Sequence, residues 1–190
     1  LALRRAMNRT TGSVEASSFP LTGDFLAGRL RQNLSLDDLK YIEALVETVS
    51  DHGDTARLLA RGTKTDRSTI LIEGYIFRTV ESGDKRFITG VHVPGDFVDL
   101  HGFALKRLDH NIDAAGRVTV GSVSHDTLRR VMRDRPGVAR AMWFATLLDA
   151  AIHRKWIQML EQLDAPRRIA HLYAELHTRL ELVGRNVTRA

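Results

Sequence analysis

The chain of 190 residues contains no cysteine. It therefore forms no disulfide and offers no thiolate to a zinc ion or an iron–sulfur cluster. It also has no apolar run near the roughly 18–20 residues that a membrane-spanning helix needs, and no apolar segment follows the N-terminal arginines as in a secretory signal. These absences predict a globular, cytoplasmic protein that does not enter a membrane.

The sequence lacks the short motifs of several large enzyme classes. It has no Gly-x-Ser-x-Gly elbow, no P-loop and no dinucleotide-binding fingerprint. Ser122, His125 and Asp126 supply the residue types of a catalytic triad, but triad members rarely come from neighbouring positions in the chain. We therefore predict a binding protein and not an enzyme.

Acidic residues are fewer than basic ones: 23 Asp and Glu stand against 28 Lys and Arg, a formal net charge of +5. A basic balance is typical of proteins that bind nucleic acid, and it is equally typical of an arginine-rich solvated surface. Charge alone leaves both interpretations open. The densest basic cluster consists of Arg129, Arg130, Arg133 and Arg135. We interpret it as a solvated face, with RNA polymerase as its candidate partner.

The pattern of residues divides the chain into three parts. Polar residues without periodicity predict a flexible arm over 1–33. Ser35 is a good N-cap for a short helix whose apolar residues continue at helical spacing to Val49. From about 56 to 123, β-branched segments alternate with turns, including a hairpin turn at 81–84, which predicts a sandwich or barrel.

The last part of the chain is predicted to be helical, with a long helix from 137 to about 163. An apolar stripe on this helix advances by 3, 4, 4, 3 and 4 residues, as a helix–helix seam requires. Trp143, Phe144 and Leu147 lie off the stripe, so a second face is also apolar. Pro166 begins a further helix and Gly184 ends it. The predicted dimer seam is Ala145, Leu148, Ile152, Trp156, Met159 and Leu163.

In this order, the segments resemble the Crp/Fnr family, the cyclic-AMP-receptor-like transcription regulators of bacteria. The likeness covers about 34–184 and rests on five stretches. They are LLARGT (58–63), ILIEGYIFRTV (70–80), VPGDFVDLHGF (93–103), LLDAAIHRKWI (147–157) and RRIAHLYAELHTRLELVG (167–184).

The resemblance implies an α+β fold with a cyclic-nucleotide-binding-like β-roll of eight strands as sensor domain over 34–136. A dimerisation helix over 137–164 would pair with its twin in a homodimer. The helix in 165–190 would lead to a winged helix-turn-helix that binds DNA and is not present in this chain. The implied function is the sensor and dimerisation part of a transcription regulator. A stand-alone ligand-binding or dimerising module without a DNA reader remains the alternative.

Nucleotide-binding members of the family carry a Gly-Glu pair and an Arg followed by Ser or Thr after the Gly-Asp turn. Here Asp99 and Leu100 replace the pair, and Arg107 is followed by Leu108 and Asp109. The site therefore lacks the cation arrangement that a buried phosphate needs, and we predict an effector other than cyclic AMP and no resident cofactor. The candidate pocket residues are Gly95, Asp96, Asp99, His101, Gly102, Arg107, His110 and Asn111. The alternative is that they are solvated loop residues and form no ligand site.

Three loop histidines raise the question of a metal. His92, His101 and His110 are spaced by nine residues, and this spacing is not one that places ligands around a single ion. The sequence therefore predicts no metal site.

Overall fold

The computed structural model describes residues 18–185. In chain order its elements are a 3-10 helix Arg31–Asn33, α1 Leu36–Ala44, β1 Thr48–His52, β2 Arg57–Leu59, β3 Arg67–Glu73, β4 Ile76–Ser82, β5 Lys85–His92, α2 Gly102–Leu105, β6 Asn111–Ala114, β7 Val118–Ser124, α3 His125–Asp134, α4 Pro136–Gln162 and α5 Ala165–Leu182.

The strands form two antiparallel sheets, with strand orders β1-β7-β3 and β2-β6-β4-β5. Apolar side chains from both sheets, among them Leu71, Ile76 and Ile112, are buried in a common core. This arrangement confirms the α+β class. The part of the chain that the structure describes contains seven strands and two isolated bridges, where the resemblance implied eight strands.

A second core joins the helices to the β-roll. Ile42 of α1, Leu128 of α3 and Met142 of α4 pack with Phe25 and Leu26. Because the helices share this core with the sheets, α4 is held at a fixed position against the β-roll.

Residues 18–33 correct the prediction of a flexible arm, since they pack on the body of the protein. Phe25 is 1% exposed, and the Glu43 carboxylate accepts hydrogen bonds from the backbone N–H groups of Leu21 and Thr22 at 2.9 Å. The segment is a series of turns, so its apolar residues follow no helical or strand period that a sequence pattern could reveal. The rest of the predicted arm, 1–17, lies outside the described residues.

The first helix confirms its predicted start, because the Ser35 hydroxyl accepts a hydrogen bond from the Asp38 N–H at 3.1 Å. Its predicted end is wrong. The helix stops at Ala44, and Val49 lies in β1, opposite Gly121 of β7. The helical spacing of Val46 and Val49 is incidental, and pairing with β7 places this β-branched stretch in the sheet.

The two last helices run antiparallel. Trp156 Nε1 of α4 donates to a Glu175 carboxylate oxygen of α5 at 2.7 Å, and Arg168 donates to the Leu160 carbonyl at 2.8 Å. The Asp164 side chain caps the start of α5. Within residues 18–185, no helix is both long enough and apolar enough to cross a bilayer.

Candidate functional site

A groove of about 420 Å³ lies between the four-stranded sheet and the middle of α4. Its walls come from β4, β5, the segment before β6, and α4, so a molecule in it would touch the β-roll and the long helix together. The lining residues are Arg78, Val80, Thr89, His101, Leu105, Asp109, His110, Thr146, Asp149, Ala150 and His153.

Arg78 connects the two walls of the groove. Its side chain projects from β4 and is 6% exposed. One terminal nitrogen donates to His153 Nε2 at 2.8 Å, and the other forms an ion pair with Asp149 at 3.0 Å and contacts His92 Nε2 at 3.3 Å. The positive charge of Arg78 is thus already paired with a carboxylate of α4.

Sequence reasoning missed Arg78, although a signal for it exists. An arginine inside the strand segment ILIEGYIFRTV is unusual because buried charges in a sheet need a partner. That partner is 71 residues away in sequence, so the pattern could flag Arg78 but could not name Asp149.

His101 and His110 face each other on the loop wall of the groove, with ring centroids 5.1 Å apart. Burial and, to a smaller extent, the nearby charge of Arg78 lower the pKa of His101 to about 4. Burial also holds the pKa of His110 below its usual range, against the effect of Asp109. Both imidazoles are therefore neutral at pH 7.

The other predicted pocket residues lie outside the groove lining. Gly95 and Asp96 form the turn after β5 and border a cavity of about 50 Å³ between residues 24–29, α4 and α5. Gly102 begins α2. Arg107 donates to the Gly62 carbonyl at 2.7 Å, and the Asn111 side chain accepts from the Arg61 N–H at 2.7 Å.

Asp99 is fully buried and bonds to β3 instead of lining the groove. Its carboxylate accepts hydrogen bonds from the Thr69 N–H at 2.5 Å and the Thr69 hydroxyl at 3.3 Å. Burial nevertheless raises the pKa of Asp99 to about 7. The folded protein therefore binds a proton at Asp99 more tightly than the unfolded chain does.

Asp99→Asn should change how stability depends on pH. Because the folded pKa of Asp99 is raised, the contribution of Asp99 to wild-type stability falls as pH increases from about 4 to about 7. Asparagine stays neutral and keeps an acceptor for the Thr69 N–H. We therefore compare the free energies of unfolding of the variant and of wild type. From pH 5 to pH 8, their difference should change by about 2–3 kcal/mol in favour of the variant.

Urea unfolding at both pH values measures this gain. Asp84→Asn, in the exposed turn between β4 and β5, removes the same charge without burial and is the matched control. An equal pH response of Asp99→Asn and wild type would contradict the prediction.

The six residues of the predicted dimer seam are partly buried against their own chain. Leu148 and Ile152 border the small cavity beside Arg179 and Leu182 of α5, and Trp156 bonds to Glu175. Since this face of α4 already packs against the same molecule, the surface that α4 leaves open lies elsewhere.

The open surface lies on the opposite side of α4, where three large apolar side chains are exposed. Trp143 is 66% exposed, Leu147 51% and Ile157 63%. The positions of the stripe follow one another by 4, 3, 4, 3 and 4 residues, the repeat that a two-helix seam requires. We call this set the exposed stripe: Trp143, Leu147, Ala150, Arg154, Ile157 and Glu161.

The triad-like residue types do not converge among the described residues. His125 Nε2 lies 3.3 Å from the Ser68 hydroxyl, while the Ser122 hydroxyl accepts from Arg67 at 2.5 Å. Asp126 pairs with Arg129. The three groups therefore stabilise separate parts of the fold.

The two sheets and the long helix against their side define a β-roll of the cyclic-nucleotide-binding-like fold class. No protein-family model matches the chain, and no curated protein sequence matches it. Among solved structures, FixK2 from Bradyrhizobium japonicum aligns with a TM-score of 0.65 and 19% identity over 70% of this chain and 66% of that one.

Two further solved structures align over the same fold. The c-di-GMP responsive global regulator CLP of Xanthomonas campestris has a TM-score of 0.63 and 14% identity over 80% of this chain and 86% of its own. A transcriptional regulator of the CRP/FNR family from Thermus thermophilus has a TM-score of 0.58 and 15% identity over 68% of this chain and 64% of its own. At these identities the likeness is one of fold, and it confirms the cyclic-nucleotide-binding-like β-roll with C-terminal helices.

Proposed function

We propose that this chain is the effector-sensing and dimerisation part of a Crp/Fnr-type DNA-binding transcription regulator. The observation that carries the proposal is the position of the groove. Its lining includes Thr146, Asp149 and His153 of α4, and the exposed stripe lies on the adjacent face of the same helix. A ligand in the groove would therefore act on the helix surface that is available to a partner.

The exposed stripe supports a homodimer. Three large apolar side chains at heptad positions, Trp143, Leu147 and Ile157, stand in solvent on a helix whose opposite face is already packed. A second copy of the same helix would bury them by knobs-into-holes packing. We therefore place the dimer interface on this stripe instead of on the face from Ala145 to Leu163.

The effector is proposed to be a molecule other than cyclic AMP. The groove contains the carboxylates of Asp109 and Asp149, and Arg78 is already paired with Asp149. Nucleotide-binding members of the Crp/Fnr family place an arginine for the phosphate after the Gly-Asp turn. Here Arg107, the nearest cation after that turn in sequence, donates to the Gly62 carbonyl outside the groove. A cyclic phosphate would thus meet carboxylates where it needs an unpaired cation.

Regulation requires that the effector bind one arrangement of α4 better than another. The ion pair between Arg78 and Asp149 joins the sensor wall to α4, so a ligand that competes for either group would change how the helix is held. DNA is the proposed partner through a further domain, RNA polymerase is a second partner, and the proposed location is the cytoplasm. We propose no catalytic step for this chain.

The test uses the full natural gene product and fragmented genomic DNA of its own organism. We expect the protein to recover fragments that share an inverted repeat, with half-site centres about one helical turn or a multiple of it apart. Leu147→Glu combined with Ile157→Glu should make the protein monomeric in sedimentation and abolish this recovery, because charges would replace two of the three large apolar side chains in the proposed seam. Added cyclic AMP should leave the recovered set unchanged.

Ile169→Glu with Tyr173→Glu is the matched control, because it places two charges on exposed apolar positions of α5. A wild type that recovers no sequence-specific DNA would refute the regulator and favour the stand-alone module. If Leu147→Glu with Ile157→Glu stays dimeric, or the control alone dissociates, the interface is not the exposed stripe.

A further inference from the structure

We propose that His101, His110 and Asp109 form a binding site for a divalent transition-metal ion on the loop wall of the groove. One potential ligand atom from each of the three lies within 4.8 Å of the other two. The site is a property of the chain itself and does not depend on the regulator proposal.

The strongest indication is the state of the two ring nitrogens. His110 is buried, and neither its Nε2 nor that of His101 has a hydrogen-bond partner among residues 18–185. A buried polar atom without a partner costs free energy. Two such nitrogens on neighbouring rings are accounted for if they share an ion.

Asp109 orients His110 for this role. A carboxylate oxygen of Asp109 lies 2.6 Å from His110 Nδ1, so Nδ1 carries the proton and Nε2 presents its lone pair to the groove. While it is bonded to Nδ1, the Asp109 carboxylate lies on the far side of the His110 ring from Nε2 and cannot reach an ion there. Asp109 therefore has to release Nδ1 and turn toward Nε2 to become the third ligand.

The donor set selects the class of ion. Two imidazoles and a carboxylate suit Zn²⁺ and related ions such as Co²⁺, Ni²⁺ and Fe²⁺. Bonds of about 2.0–2.1 Å place tetrahedral ligand atoms about 3.3 Å apart, so each pair of groups must close by no more than about 1.5 Å. Asp109 is 83% exposed at its side chain and lies in the loop before β6, which leaves it free to move inward.

The groove can accept the added positive charge. The charge of Arg78 acts on both rings, and the ion pair of Arg78 with Asp149 offsets part of it. Three protein ligands leave at least one coordination position open toward the groove. The sequence predicted no site because its spacing argument included His92, which instead faces Arg78 and Asp96.

The test is zinc binding by the chelator-treated protein, measured by calorimetry with ZnCl₂ and without DNA. We expect one Zn²⁺ per chain. His101→Ala with His110→Ala should abolish saturable binding, and Asp109→Ala should weaken it about 10-fold to 100-fold. The control is His52→Ala with His177→Ala. These histidines lie on β1 and α5, far in sequence from His101 and His110, so their loss should leave the zinc affinity unchanged.

Co²⁺ added to the wild-type protein supplies a readout that needs no variant. One equivalent should give the visible absorption of a low-coordinate site, which Zn²⁺ should then displace. The proposal is overturned if Co²⁺ gives only the spectrum of the hydrated ion, or if wild type and a folded His101→Ala, His110→Ala variant bind Zn²⁺ equally. Either result leaves the DNA test unaffected.

Discussion

Gly95→Ala should destabilise the protein by about 3 kcal/mol, as the sum of a backbone and a packing penalty. Gly95 has φ +90°, in the region that L side chains rarely adopt, and this alone costs about 1–2 kcal/mol. A Cβ atom at this position would also stand 2.3 Å from the Asp24 carbonyl oxygen, and relieving such a contact costs about 1–3 kcal/mol. Urea unfolding followed by circular dichroism measures the loss.

Gly116→Ala separates the two penalties. Gly116 has nearly the same backbone, with φ +96°, and nothing lies within 4 Å of the added Cβ. We therefore expect it to lose only the backbone part, about 1–2 kcal/mol. Equal losses in both variants would contradict this prediction, because they would show that the segment around Asp24 moves away from the turn without cost.

The features that the sequence predicts well are those set by near neighbours in the chain. Ser35 and Pro166 mark real helix starts, and the hairpin turn at 81–84 joins β4 to β5. A cap or a tight turn depends on the hydrogen bonds and φ angles of a few consecutive residues. Their residue types are therefore sufficient to place them.

The features that the sequence predicts poorly depend on distant partners. An apolar residue on α4 indicates that a face is buried but not what covers it. The sequence assigns the stripe from Ala145 to Leu163 to a second copy, whereas Trp156 of that stripe bonds to Glu175 of α5 in the same chain. The groove likewise combines Arg78 with Asp149 and His153 of α4. Only the folded chain brings such side chains together.

The site prediction shows the same division. The candidate residues selected around the Pro-Gly-Asp turn include His101 and His110, which line the groove because the segment after the turn forms its loop wall. It also included Asp96, whose side chain turns the other way, toward α5. Neighbours along a loop can face opposite sides of a sheet, so position in a motif does not identify a ligand-binding atom.

Arg179→Met should release α5 from the turn after β5, where Asp96 pairs with Arg179. Arg179 is buried on α5, where it donates to the Val91 carbonyl at 2.8 Å and to Glu175 at 3.1 Å, and it pairs with Asp96. Burial would raise the pKa of Asp96, but Arg179 and His92 hold it at about 2. Methionine fills similar space and leaves the Asp96 carboxylate without its partner, which should cost about 3 kcal/mol.

The loss should be local and should depend on pH. Hydrogen exchange of the α5 amides should accelerate, since the link between α5 and the turn after β5 is broken. The pair stabilises the protein fully above the unfolded pKa of about 4, and this stabilisation is lost as pH falls toward the folded pKa of about 2. The difference between wild type and Arg179→Met should therefore shrink from pH 7 to pH 3.

Arg133→Met is the matched control, because it removes an arginine whose ion pair with Asp134 is exposed, and exposed pairs contribute little. It should leave α5 exchange unchanged. Should Arg179→Met also leave α5 protected at pH 7, the helix would be held by its apolar contacts with α4 alone. In that case the turn after β5 could not transmit a change in the β-roll to the helix that follows the proposed dimer interface.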